Sequence, residues 1–157
     1  MTALTLALFQ PDIAQNAGTM LRACACLGVD AAIIEPAGFP TSDRHFRRAG
    51  MDYLDRLRID RHASWDAFEF WRAAHGRRLV LLTTRADLPY TRFAYRPGDV
   101  LMVGRESAGA PEEVHAAADA RVTIPMQPGL RSLNVALSAA MVLGEALRQI
   151  RDDATGA

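Results

Sequence analysis

Solid apolar runs and amphipathic stretches alternate along the chain. Residues 4–9 are an apolar run that predicts a first strand. Residues 10–15 form a loop with Pro11, and Asn16 is suited to cap a helix that runs to Leu27 and stops at Gly28. Ala17, Met20, Leu21, Cys24 and Leu27 share one helical stripe. Residues 31–35 predict a second strand, ended by Pro36 and Gly38, and residues 41–49 a short helix opened by Ser42 or Asp43. Across 53–59, Tyr53, Leu57 and Ile59 alternate with charges, the pattern of an edge strand. Residues 64–75 predict an amphipathic helix carrying Trp65, Phe68 and Trp71. The uninterrupted apolar runs within 78–83 and 99–103 are expected of strands covered on both faces. Pro111 suits the first position of a helix, and Glu112 and Glu113 suit the positive end of its dipole. A last strand is expected over 122–125 and the longest helix over 132–150. Strands alternating with helices predict an α/β fold with a mostly parallel sheet flanked by helices. Residues 1–151 are expected to form a single domain, with 152–157 a flexible tail.

The final helix changes this picture. From Ser132 to Gly144 it carries no charge, and Leu133, Val135, Leu137, Met141, Val142 and Leu143 surround it with apolar surface. Such a helix is expected to be buried all round. In a chain of 157 residues, part of that cover is expected to come from a second subunit. A helix sandwiched within the monomer is the alternative.

Net charge is zero, with 18 basic and 18 acidic residues. A strongly basic nucleic-acid protein is excluded as a whole-chain description, but a local basic face is not. All 18 basic residues are arginine. Mechanisms that need lysine, such as Walker A phosphate binding or a Schiff base, are therefore excluded. Cys24 and Cys26 lie two apart in a predicted helix, so they point about 200° apart and do not share a metal. Both read as core packing residues in a reducing compartment. None of the four histidines shows metal spacing, so no metal is expected. Residues 1–8 lack a basic leader region, and the longest uncharged run, 132–144, falls short of the ~20 residues of a membrane span. A soluble, cytoplasmic protein with no membrane contact is expected.

Three segments follow predicted strands and precede predicted helices, where open α/β sheets place ligands. The first holds Asn16, Gly18 and Arg22; Arg22 lies off the apolar stripe and presents a fork of donors suited to a phosphate, or is a plain surface residue. The second runs from Gly104 to Pro111, with Glu106 between Gly104 and Gly109. It matches neither GxxxxGK[ST] nor GxGxxG. The third runs from Ile124 to Asn134 and feeds the charge-free helix. Ser132 explains itself as a helix cap, whereas Asn134 needs a partner, either a capping network or a ligand. Glu35 at the end of the second strand imitates a ribose-binding acid of a dinucleotide fold, but its loop has the single glycine Gly18. Residues 44–61 are locally basic, with Arg44, Arg47, Arg48, Arg56, Arg58 and Arg61 against Asp52, Asp55 and Asp60. That is a candidate phosphate-binding face or a solvated surface.

Taken together these segments resemble the SpoU branch of the SPOUT-class RNA 2′-O-methyltransferases, and within it the small TrmL/YibK-like group acting on the tRNA wobble nucleotide. The carriers are Asn16-x-Gly18-xxx-Arg22, the IIEP run at 33–36, RRAGMDY at 47–53, Leu82-Thr83-Thr84, Gly104-x-Glu106-xx-Gly109-x-Pro111, Ile124-Pro125-Met126, SLNVA at 132–136, and Glu145 with Arg148-Gln149. The resemblance implies a C-terminal deep trefoil knot, a homodimer joined largely by the last helix, and S-adenosyl-L-methionine bound by Leu82, Thr83, Gly104, Glu106, Gly109, Ile124, Met126, Ser132 and Leu133. It implies that Arg22 is the key basic residue, with Asn16, Glu106 and Asn134 shaping the site. The implied substrate is the ribose 2′-hydroxyl of cytidine or uridine 34 in the anticodon stem-loop of tRNA. Another tRNA or rRNA site, or a knotted dimer that binds RNA without methylating it, are the alternatives. Ala110 stands where many relatives carry Leu. With its first strand beginning near Leu4, the chain is expected to lack the extra N-terminal RNA-binding domain of many ribosomal-RNA relatives.

Overall fold

The computed structural model describes residues 4–156. Six strands form one sheet: β1 (Thr5–Phe9), β2 (Asp30–Ile34), β3 (Ile59–His62), β4 (Leu79–Leu82), β5 (Val100–Val103) and β6 (Ala120–Val122). Their order is β3-β2-β1-β5-β4-β6, and every pairing is parallel. The helices are α1 (Ala14–Leu27), α2 (Asp43–Arg48), α3 (Trp65–Ala74), α4 (Glu112–Ala117) and α5 (Val135–Thr155).

Alternation along each strand divides the core in two. Leu6, Leu8, Ile33, Val80, Leu101 and Val103 face the layer made by α1 and α5. Ala7, Phe9, Ile34, Leu81, Val100 and Met102 face the layer of α3 and α4, where Phe68 is fully buried. Covered on both faces, β4 and β5 need the unbroken apolar runs seen in their sequences.

Caps set several boundaries. Ser42 accepts from His45 N at 3.2 Å and opens α2, and Ser64 accepts from Ala67 N at 3.1 Å and opens α3. Gly28, with φ of 69°, ends α1 in the left-handed conformation. Pro111 is the residue before α4 rather than its first residue.

Elsewhere the structure departs from the sequence reading. α1 starts at Ala14, so Asn16 lies inside its first turn and does not cap it. Ser132 is likewise not a cap: Asn134 is, accepting from Ala136 N at 2.8 Å and Leu137 N at 3.3 Å. The expected edge strand over 53–59 is a single 3-10 turn, Leu54–Arg56, and the edge strand is β3. Tyr53 and Leu54 break the alternation because both are anchors: Leu54 is buried, and Tyr53 OH donates to Gly18 O at 3.0 Å. β6 ends at Val122, where Thr123 turns away to bond Leu88 O at 2.9 Å. The stretch read as a flexible tail begins as helix, since α5 continues to Thr155 with Arg148 paired to Asp152 at 2.9 Å. Leu27 and Cys26 are exposed at the end of α1. Cys24 is buried, and burial, then the charge of Asp30, pushes its thiol up to about 12.

α5 is not buried all round within one protomer. Its inward face packs Ala139, Val142, Leu143 and Ala146 into the core. Leu137 is 60% exposed and Met141 40% exposed, and Gly144 lies beside them on the same open face.

Candidate active site

β1, β4, β5 and β6 all point their C-terminal ends at one edge of the sheet, where the chain order switches between β1 and β5. Open parallel sheets bind ligands in such a crevice. Here it is a cleft of about 410 Å³, within the range of small-molecule sites. The β4 exit supplies Leu82 and Thr83, the β5 exit Gly104, Glu106 and Gly109, and the segment before α5 Ile124, Met126, Ser132 and Leu133. Asn16 and Asn134 line the same cleft. The three loops singled out in the sequence therefore meet. Arg22 does not line the cleft: it is exposed on α1, six residues past Asn16 and so about 9 Å farther along the helix.

The loop after β5 is shaped by its glycines. A Cβ on Gly104 would sit 2.5 Å from Ala110 N and 2.7 Å from Gly109 C, so the loop folds back on itself only with glycine there. Gly109, with φ of 65°, makes that bend. The loop borders a cavity that is also lined by the apolar side chains of Leu82, Ile124, Met126 and Leu133.

Asp12 and Glu106 hold this loop to the one before α1. Asp12 N donates to Glu106 Oε2 at 3.2 Å, and Glu106 N donates to Asp12 Oδ1 at 3.1 Å. Ser107 Oγ donates to Asp12 Oδ2. Hydrogen bonding with the Glu106 side chain, and next with the Ser107 hydroxyl, holds the Asp12 carboxyl at about 2. Burial, then the adjoining Asp12 side chain, pushes the Glu106 carboxyl above its ordinary value. Of the two adjacent carboxyls, Glu106 is the one whose charged form the surroundings disfavour. Glu106 Oε1 is buried and has no hydrogen-bond partner among the described residues. Nothing in the sequence marked Asp12, since an acidic residue before a helix is ordinary surface chemistry.

Asn134 Nδ2 donates to Asn16 Oδ1 at 3.1 Å, which answers the need for a partner with a capping network. Arg22 stacks on Tyr53, its guanidinium carbon 5.5 Å from the ring centroid. Tyr53 carries no site signal in the sequence, because the alternation across 53–59 marks it as a strand position. Half of the basic stretch is paired in place: Arg47 pairs with Asp55 at 2.8 Å, Arg61 with Asp43 at 2.7 Å and Arg58 with Asp60 at 3.3 Å. Arg44, Arg48 and Arg56 form no ion pair among the described residues, and neither does Arg22. Glu35 accepts from Thr41 Oγ1 at 2.6 Å. No group of three or more metal-ligating side chains occurs among the described residues. Among them no helix is long and apolar enough to cross a membrane.

The chain resembles known proteins over almost its whole length. The chain is 71% identical over 145 residues to a tRNA (cytidine(34)-2′-O)-methyltransferase of Beijerinckia indica, an alignment covering 92% of this chain and 91% of the relative. A structure solved for insights into the 2-OH methylation of C/U34 on tRNA superposes with a TM-score of 0.84 at 38% identity, covering 94% and 96% of the two chains. An AdoMet-bound rRNA methyltransferase from Sinorhizobium meliloti superposes with a TM-score of 0.81 at 27% identity, over 92% of this chain and 56% of that one. The model of the SpoU rRNA Methylase family matches residues 3–144, and the chain belongs to that family.

Proposed function

We propose that this protein transfers a methyl group from S-adenosyl-L-methionine to the ribose 2′-hydroxyl of nucleotide 34, cytidine or uridine, in tRNA. One observation carries the reading. The loops after β4, β5 and β6 converge on a single cleft, in a chain 71% identical to a methyltransferase of that name. The residues fit the cofactor: apolar side chains for a purine, main-chain groups bared by Gly104 and Gly109, and a buried carboxyl oxygen on Glu106 in want of a donor. Bound there, S-adenosylmethionine supplies a methyl already activated on a sulfonium, so no enzyme nucleophile is required.

The work left to the chain is positioning and charge control. Asn16 accepts from Asn134 through Oδ1, which leaves its own amide donors for the ligand. Glu106 offers its buried Oε1 as an acceptor to a donor of the ligand. Arg22, exposed beyond the cleft, presents its guanidinium fork to a substrate phosphate. The anticodon stem-loop is the RNA element implied.

Residues 1–151 are proposed as one SPOUT domain whose C-terminal loops form the trefoil knot. The open apolar face of α5 is proposed to pair with a second copy in a homodimer. A tRNA enzyme of this kind works in the cytoplasm.

Methyl transfer tests the reading. Purified protein, labelled S-adenosylmethionine and bulk tRNA lacking wobble methylation are incubated, and the labelled nucleoside is identified and mapped. A 2′-O-methylated pyrimidine at position 34 is expected. Label at another position, or none despite cofactor binding, would refute the substrate assignment.

A further inference from the structure

We infer that His115 fixes the hydroxyl of Thr83 as a pure hydrogen-bond acceptor toward the cleft, so that the ligand must bring a donor to that point. The inference rests on the reading of the cleft as an S-adenosylmethionine site.

His115 lies on α4 and is 6% exposed. Its Nδ1 is 3.2 Å from Pro111 O, and its Nε2 is 2.8 Å from Thr83 Oγ1. A carbonyl oxygen only accepts, so Nδ1 carries the proton of the neutral ring. Nε2 is then an acceptor. Thr83 Oγ1 donates its one proton to it. The same oxygen accepts from Arg85 N at 3.2 Å. One lone pair remains, and the hydroxyl has no proton left to give. The main-chain N–H of Thr83 is also committed, to Val122 O at 2.9 Å.

Thr83 stands at the exit of β4 and lines the cleft. Without His115 its hydroxyl would turn freely and present either character. With His115 it presents only a lone pair. A purine amine, a ribose hydroxyl or an ammonium group satisfies that demand. A group offering only lone pairs meets repulsion from the lone pair of this half-buried oxygen. His115 thus acts through Thr83 as a positioning residue. No local pattern marks it for this part, since an isolated histidine on a short helix carries no spacing signal.

Calorimetric titration with S-adenosylhomocysteine tests this on the wild type and on Thr83→Val, His115→Leu, His115→Gln and the double variant Thr83→Val/His115→Leu, each checked for folding by thermal melting. Thr83→Val and His115→Leu are each expected to weaken binding by about three- to tenfold. The double variant is expected to be no weaker than Thr83→Val alone, because His115 has nothing left to orient. His115→Gln, whose amide oxygen takes the place of Nε2, is expected to restore most of the affinity. In methyl transfer, the His115→Leu loss is expected in KM for S-adenosylmethionine rather than kcat. Additive losses in the double variant, or wild-type affinity in His115→Leu, would overturn the inference. A wild type that binds no S-adenosylhomocysteine would overturn the cofactor reading and this inference with it.

Discussion

Asn134 on the last helix donates its amide proton to Asn16 Oδ1 on the first, across 3.1 Å. The orientation of both amides follows from the cap, because Asn134 Oδ1 is already committed to Ala136 N and Leu137 N. Asn134→Ala is expected to lower stability by about 1 kcal/mol through loss of the cap, read by urea unfolding. Asn16→Asp keeps the acceptor and removes the donors. It is expected to change stability by less than about 0.5 kcal/mol, yet to lower methyl transfer by about tenfold or more.

Arg22 and Tyr53 give a second test. Arg22→Ala is expected to lower transfer by about a hundredfold or more, with unchanged affinity for S-adenosylhomocysteine, since Arg22 lies outside the cleft. Tyr53→Phe keeps the ring beneath the guanidinium. Tyr53→Leu loses about 0.5–1 kcal/mol of cation–π contact and is expected to lower kcat/KM by about threefold. Equal activity in Tyr53→Leu and Tyr53→Phe would remove the ring from this role.

Gly104 allows no side chain. Gly104→Ala drives a methyl group into the backbone of Gly109 and Ala110, and is expected to cost about 1–3 kcal/mol. Cofactor affinity falls with it, because the displaced loop carries Glu106. Thermal melting and calorimetry read the two effects separately.

The Asp12 clasp is expected to show in acid. Its carboxyl is depressed from 3.8 to about 2 in the folded chain. A depressed carboxyl contributes stability that is complete above the unfolded value and is lost as pH falls toward the folded one. The stability advantage of wild type over Asp12→Asn is therefore expected to hold at pH 6 and shrink between about pH 4 and pH 2. Urea midpoints across that range check it. A constant difference would contradict the clasp.

The open face of α5 makes a prediction about assembly. Gly144 has nothing within 4 Å of a Cβ built on it, so a side chain there fits one protomer. A helix-interior glycine costs about 1 kcal/mol relative to alanine, which close approach by a second helix would justify. Gly144→Leu and Leu137→Asp are expected to leave the protomer folded and shift it from dimer to monomer in sedimentation velocity. A monomeric wild type would refute the dimer.

The fold was legible where one physical signal ruled. Val100 to Val103 has no polar position, and only a strand covered on both faces needs that. Ser42, one of the two residues expected to open α2, is its cap. Reading failed where a side chain serves a distant partner. Tyr53 looked like a strand residue but is tied to Gly18, 35 positions away. Asn16 looked like a cap but is an inner residue of α1 held by Asn134. The site followed the same division. Gly104, Glu106, Ser132 and Leu133, grouped by the family resemblance, line one cleft, whereas Asp12 and His115 owe their parts to contacts that no local pattern encodes.

The placement of β1 bears on how the chain acquires its shape. β1 pairs with β2 on one side, which follows after a single helix, and with β5 on the other, where Thr5 meets Val100. A ribosome delivers the first pairing early and the second late. Until β5 arrives, one edge of β1 stays open to whatever strand is near. Long-range parallel pairing also slows folding, because a large loop must close before any contact rewards it. The cleft needs the loops after β4, β5 and β6, so it comes into being only when nearly the whole chain has been made. A nascent chain therefore has no use for the cofactor, and whatever guards its open strand during synthesis must be something other than its own ligand.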